Sequence, residues 1–255
     1  MNDIYNDKSY ISKHPDLHRE DSAYKFEQIS RLLEMVHVES NKIKILDIGG
    51  GAGVLGRLVA EYFRLREKEV EFVALDVSAD MLEIQAKENP HLVRSLNCSI
   101  LDCPEEKFDI VLMIDVIEHV PDKELVAGRL NKISRQIIYN IPIEINLMDF
   151  ARNLRHRGQH YPEQTRAIGH IHFFTYASAL KFVDRHHCRR SSFFKAYCSL
   201  LKDSPHPRYQ ELRRSRLRLA EVKLSCWIDK YLTGFAPWIV QGSLFALVQT
   251  QQYKV

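Results

Sequence analysis

The sequence predicts a single α/β domain, doubly wound around a mostly parallel seven-stranded sheet. Three observations predict it. Short apolar runs alternate with helical patterns through residues 43–142, which calls for right-handed crossovers and parallel pairing. A glycine turn, LDIGGGAGVLG, follows the first apolar run. The second and fourth runs, EVEFVALD and FDIVLMID, each end in an acid.

Each element has its own signal. In DSAYKFEQISRLLEMVH, Phe26, Ile29, Leu32, Leu33 and Val36 fall at helical spacing behind Asp21 or Ser22 as cap. KIKILDI is a strand, VLGRLVAEYFRLR a helix, EVEFVALD a strand, and ADMLEIQAKEN a helix stopped by Asn89-Pro90. HLVRSLNCSIL is a weaker strand and KFDIVLMID a strong buried one. DKELVAGRLNKIS is a helix and RQIIYNIPI a strand. Residues 144–172 start helical and turn irregular, as an insert over the carboxyl edge of the sheet would. FFTYASALKFVDRHH is a strand end and helix, and RRSSFFKAYCSLL a strand. One long helix is expected over about 208–231, and GSLFALVQTQ closes the sheet.

Composition sets the class. The chain has 255 residues, 45% hydrophobic and 27% charged, as globular domains do, and no run reaches the ~20 apolar residues of a membrane helix. Its net charge of +3 is too small to argue for nucleic acid. Five cysteines, an odd number without paired metal-ligand spacing, read as reduced thiols of a cytoplasmic protein, and no secretory leader is apparent. Basic residues cluster at Arg152, Arg155, Arg157 and Arg166, and again at Arg208, Arg213, Arg214, Arg216 and Arg218; the second cluster reads as the solvated face of a surface helix.

Ligands of open α/β sheets sit beyond the carboxyl ends of the strands. Two patterns fit the glycine turn there. Gly51, Gly53 and Gly56 make G-x-G-x-x-G, with Asp76 at ribose distance for a nicotinamide dinucleotide. Asp47, Gly49, Gly51 and Gly53 make acid-x-G-x-G-x-G. Asp47 favours the second, because an acid at the end of an apolar strand welcomes an amino group and repels a pyrophosphate, although it could instead cap the following turn. Asp76 could instead cap the next helix, although Ser78 already serves as a cap.

Taken in order, LDIGGGAG, VALDVSADML, SILDCP and FDIVLMIDVIEHVPD resemble the motifs of class I S-adenosylmethionine-dependent methyltransferases. The similarity is greatest to the ubiquinone-biosynthesis O-methyltransferase group. By that resemblance Asp47, Gly49, Gly51 and Gly53 hold the methionine part of the cofactor, Asp76 the ribose, and Val77 the adenine face. Asp102 meets the adenine amino group, and Ile114, Asp115 and Val116 line the sulfonium end. The product is S-adenosylhomocysteine. KHPDLHREDSAYKFEQI and GHIHFFTYASALKFV are similar to methyltransferases of bacterial surface-polysaccharide biosynthesis, in which an N-terminal helix closes over the cofactor. The resemblance divides the domain 1–255 into a lid at 1–40, a cofactor half at 43–142, a substrate-side insert at 143–172 and the rest of the sheet at 173–255. A Pro-Gly-Gly turn before the fifth strand, common in the wider family, is replaced here by KISRQIIYN.

The catalytic candidates are His170, His119 and His172. His170 and His172 share a face if the segment is extended, so both rings can enter one pocket. His119 packing under the sheet edge, and a structural His172, stand beside those roles. The histidine pair has no third ligand at zinc-motif spacing, so no metal is expected. Arg152, Arg155 and Arg166 are candidates to hold an anionic acceptor. The reading is methyl transfer to a hydroxyl or amine of a small polar or anionic acceptor, a sugar, sugar phosphate or surface-glycan precursor. No nucleic acid and no stable membrane insertion are expected, and a homodimer is left open. The alternatives are a nicotinamide-dependent oxidoreductase and a non-catalytic cofactor-binding subunit.

Overall fold

The computed structural model describes residues 16–17 and 19–251, and for Arg208 the backbone only. Seven strands form one sheet in the order β3-β2-β1-β4-β5-β7-β6. They are β1 (Lys42–Ile48), β2 (Glu69–Asp76), β3 (Leu92–Asn97), β4 (Phe108–Ile114), β5 (Ser134–Ile143), β6 (Cys188–Ala196) and β7 (Gly242–Gln249). β7 runs antiparallel to β5 and to β6, and every other pairing is parallel. Strand order reverses between β1 and β4, which places the switch point there.

The period of two along each strand makes two cores. In β1, Ile43 and Ile45 face one side with Ile110 and Leu112 of β4 and Phe245 and Leu247 of β7. α1 (Arg19–Leu33) and α2 (Val54–Arg64) cover that side through Ile29, Leu32, Val59 and Phe63. Leu46, Ile48, Val111, Met113, Leu244 and Ala246 face the other side. It is covered by α4 (Lys123–Ile133) and α7 (Tyr176–His186) through Val126, Leu130, Ala179 and Val183. α3 (Ala79–Glu88) lies beside β2 and β3, with Ser78 as its N-cap and Asn89 as its C-cap. β3 is an edge strand with its arginine and serine exposed, hence the weakness of its pattern.

Three expectations need correction. The insert is more ordered than its sequence suggests. It contains α5 (Leu147–Arg155) and α6 (His160–Ile168), joined where Arg157 and Gly158 take positive φ of 52° and 83°. The sixth strand stops at Ala196, where its partner β7 begins at Gly242, and CSLLKD coils instead into α8 (Cys198–Asp203). The long helix is two, α9 (Pro207–Arg214) and α10 (Arg216–Tyr231). Ser215 between them is extended at φ −77° and ψ 120°, and its hydroxyl caps α10 by accepting from the Arg218 amide. A short α11 (Ala236–Ile239) leads into β7. All five cysteines are free thiols.

Under the second core Tyr139 meets His187. The Tyr139 hydroxyl lies 2.9 Å from His187 Nε2, and His187 Nδ1 lies 3.0 Å from Asn131 Oδ1. Burial, and secondarily His186, pull His187 down to about 3, so the ring is neutral. Nδ1–H then donates to Asn131, and Nε2 accepts from the Tyr139 hydroxyl. Tyr139→Phe leaves a buried acceptor without its donor, so urea unfolding is expected to lose about 1–3 kcal/mol. A loss below about 0.3 kcal/mol would show that this bond contributes nothing net.

Candidate active site

Loops after β1, β2 and β4 enclose a cavity of about 300 Å³ at the switch point, and α1 closes it from above. Asp47, Gly49, Gly51, Asp76, Val77, Ile114, Asp115, Val116 and His119 all line it, together with Asp21, Ser22 and Lys25 of α1. The sequence-predicted set is therefore largely gathered in one place. Two of the predicted cofactor residues do not line it, and neither do His170 and His172. Asp102 ends a single 3-10 turn (Ile100–Asp102) with its side chain exposed, and Ser99, Ile100 and Leu101 form the wall there. Gly53 lies outside the wall as the N-cap of α2 at φ 88°; a Cβ there would sit 3.0 Å from the Gln85 Cα, so it packs α2 on α3.

The glycine turn is shaped around Asp47. A Cβ on Gly50 would fall 2.3 Å from Asp47 Oδ2, and one on Gly56 2.7 Å from the same oxygen. Gly50 lay outside the motif reading, although it is the glycine nearest the acid. Asp47 is 2% exposed. Burial, reinforced by the charge of Asp76, raises its carboxyl to about 7. Asp76 ends β2 and is held open by its surroundings. Its Oδ1 accepts from the Ser78 amide at 2.9 Å and its Oδ2 from Gln85 Nε2 at 3.4 Å. Burial raises it to about 6 against those hydrogen bonds. Two carboxyls, both held above the usual carboxylate range, thus face one cavity, which suits a ligand offering an amino group and hydroxyl donors.

The end of β4 is strained. Asp115 sits at φ 54°, uncommon for a residue with a Cβ. Asn140 Nδ2 donates to its Oδ1 at 2.8 Å, and Lys25 Nζ lies 2.7 Å from its Oδ2. Lys25 also pairs with Asp21 at 2.8 Å. Burial pulls the Lys25 ammonium down, yet Asp115 and Asp21 outweigh it and hold it above the usual lysine range. This lysine escaped the sequence reading because it occupies a core-facing helical position among apolar residues. Its one-turn spacing from Asp21 was the available signal.

The chain next folds Glu118 completely inside, at 0% exposure. Neither carboxylate oxygen has a hydrogen-bond partner among the described residues. Burial first, then the charge of Asp115, drive its pKa well above the carboxylate range. The GHIHFFT segment is stitched to this turn, because the Ile171 and His172 amides donate to the Glu118 carbonyl at 3.0 and 3.1 Å. His170 is thereby brought against His119, ring centroids 4.6 Å apart. His170 Nδ1 lies 2.8 Å from Glu144 Oε2, so Nδ1–H donates there and Nε2 faces inward. His172 does not join them; its Nε2 lies 2.9 Å from the Val120 carbonyl oxygen and donates to it. Arg152 is also occupied elsewhere, bound to Asp149 at 2.6 Å and to Glu221, while Arg155 and Arg166 are exposed.

Residues 46–136 match the family model of a methyltransferase domain. Over 117 residues the protein is 32% identical to the ubiquinone biosynthesis O-methyltransferase of Rhodopseudomonas palustris strain HaA2, covering 44% of this chain and 42% of that one. Over 94 residues it is 30% identical to phosphoethanolamine N-methyltransferase 3 of Arabidopsis thaliana, 35% of this chain and 18% of that one. The chain thus matches less than half the length of these curated relatives. The solved geranyl diphosphate C-methyltransferase of Streptomyces coelicolor A3(2) superposes with a TM-score of 0.58 at 13% identity, over 96% of this chain and 84% of that one. Identity that low shows a shared fold, and the fold is the Rossmann-like one of the methyltransferases. The matched segment carries Asp47, Asp76, Asp115, Glu118 and His119 and stops short of His170.

Asp47 titrates near 7 when folded and near ~3.9 when unfolded. Because its folded pKa is the higher, the stability it contributes is fully present below pH ~4 and is lost as pH rises through about 7. Asp47→Asn removes that loss. Its melting temperature relative to the parent is expected to climb by at least about 2 °C between pH 5 and pH 8. A difference that stays flat across this range would refute a raised pKa at the buried Asp47 carboxyl.

Proposed function

We propose that the protein transfers a methyl group from S-adenosylmethionine to a hydroxyl or amine of a small polar acceptor. The observation that carries the proposal is the buried Asp47 and the half-buried Asp76, facing one cavity beside a glycine turn. Asp47 would take the methionine amino group, and Asp76 the ribose hydroxyls. Val77 would pack on the adenine, and Ile114, Asp115 and Val116 would flank the sulfur end. The cofactor supplies a methyl group already activated on a sulfonium, so the protein's tasks are alignment and exclusion of water. α1 is suited to the second task, since Lys25 anchors it to Asp115 across the cavity mouth.

A nicotinamide dinucleotide fits the same cavity poorly. Its pyrophosphate would lie against Asp47, which already resists its own charge. On the acceptor side, the cluster of Glu118, His119 and His170 is where a hydroxyl would shed its proton. Glu144 fixes the His170 tautomer with Nε2 free to act. His172, spent on the Val120 carbonyl, is left a structural role. The relatives named as an O-methyltransferase and an N-methyltransferase bracket the two acceptor atoms. Arg152 drops out as an acceptor anchor because Asp149 and Glu221 hold it. Sugars and glycan precursors remain the acceptor class proposed, on the likeness of GHIHFFT to the polysaccharide enzymes.

Calorimetry with S-adenosylhomocysteine tests the cofactor directly. Stoichiometric binding is expected, and Asp76→Ala should weaken it by about 1.5–3 kcal/mol without unfolding the protein. No binding at millimolar ligand, alongside tight binding of a nicotinamide dinucleotide, would reverse the assignment.

A further inference from the structure

α10 has two apolar faces, and only one of them meets the rest of the fold. Val222 and Ile228 are buried, while Glu221 bonds Arg152 of α5 and the Ser225 hydroxyl lies 3.5 Å from the Met148 sulfur. On a different face Leu217, Leu224, Trp227 and Tyr231 are half to three-quarters exposed, and Ala220 is exposed among them. These five follow one another at steps of three, four, three and four residues. That is the seam by which one helix packs along another in a coiled coil. A surface helix normally spends its apolar stripe on its own core.

The surface is large enough to bind a protein. The chain leaving α10 adds Phe235 and Trp238, 68% and 54% exposed. At ~150–250 Å² for a whole aromatic side chain, the exposed parts of these residues come to roughly 700 Å². The largest apolar patch of a typical monomer is about 300–600 Å², and one side of a stable interface buries about 800 Å². The face also lies at the functional edge of the sheet. β6 runs parallel to β5, since both pair antiparallel with β7, and Ile143, Gly242 and Ala196 fall in one row. Residues 197–241 therefore leave and re-enter the sheet at the carboxyl edge, where the cavity opens.

Charge selects the occupant and its direction. Arg216, Lys223 and Lys230 border the seam on one side at seven-residue spacing, and Glu221 borders it on the other. Two copies of α10 laid parallel and in register bring Arg216 of each against Glu221 of the other, as flanking charges pair in parallel coils. Laid antiparallel, Lys223 would oppose its own counterpart, and Arg216 would oppose Lys230. We propose that α10 pairs with α10 of a second copy of this chain, parallel and in register about a two-fold axis along the seam. The pairing braces α5 through Glu221 and Arg152, and so steadies the insert beside the cavity. It does not depend on the methyl-transfer reading.

Sedimentation equilibrium of the full chain tests the pairing. The parent should sediment at twice its chain mass of 29.8 kDa. Leu224→Lys, and Leu217→Lys as a second and more exposed position, should each raise the dimer Kd at least about 100-fold, since each puts a charge in the seam. Leu65→Lys adds the same charge just past α2, where Leu65 is 83% exposed, and should leave the dimer intact. Arg216→Glu should raise Kd about tenfold, by setting like charges opposite each other. Lys223→Glu should change it little, because Ile228 of the other copy stands opposite. A parent that stays at the single-chain mass up to about 100 µM overturns the proposal. So does a dimer that survives both Leu224→Lys and Leu217→Lys, or one that Lys223→Glu tightens, which is the antiparallel result. A single-chain parent that instead floats with phosphatidylglycerol–phosphatidylcholine vesicles also overturns it and assigns the face to an anionic bilayer.

Discussion

The crowding of carboxyl groups at the carboxyl end of the sheet is the constraint around which the site is built. Asp47, Asp76, Asp115 and Glu118 all converge there, and among the described residues Lys25 is the lysine or arginine that pairs with them, through Asp115. Lys25 pairs with Asp115 and Asp21, whereas neither Glu118 oxygen has a hydrogen-bond partner among the described residues. Such an arrangement lowers the stability of the empty protein and raises its affinity for cations, a trade common at functional sites. The strain at Asp115 belongs to the same account. Its positive φ is tolerated because Asn140 and Lys25 fix both carboxylate oxygens.

The cofactor half was the legible part of the chain. Strands β1, β2 and β4 are continuous apolar runs because both faces are covered, and each carries an acid at or near its end, where a loop can aim it. Asp47 and Asp76 could be placed on those grounds alone. Asp102 could not, because a short 3-10 turn decides its direction, and no periodicity reports on a single turn. Lys25 was hidden for the opposite reason. Its helix is strongly patterned, and a buried lysine breaks the pattern in a way that only its partners explain.

The wall formed by residues 118–120 and 170–174 was far less legible. Its geometry comes from backbone bonds between distant loops, with the Glu118 carbonyl holding residues 171 and 172 and the Phe174 carbonyl holding residues 144 and 145. Those bonds turn His170 inward and leave His172 on a carbonyl, a distinction that alternation along an extended segment cannot predict. Arg152 tells a similar story. Its ion pairs with Asp149 and Glu221 tie α5 to α10, so a residue that looked like a ligand anchor holds the insert in place.

The position of β7 bears on how the chain comes off the ribosome. β7 pairs on both sides, with β5 and with β6, yet its residues are synthesised after those of every other strand in the sheet. Until residue 249 emerges, the far edge of β5 lacks the backbone partners that β7 supplies along residues 136–143. Co-translational folding can thus complete the cofactor half early, while the sheet waits, with an aggregation-prone edge, for its last strand.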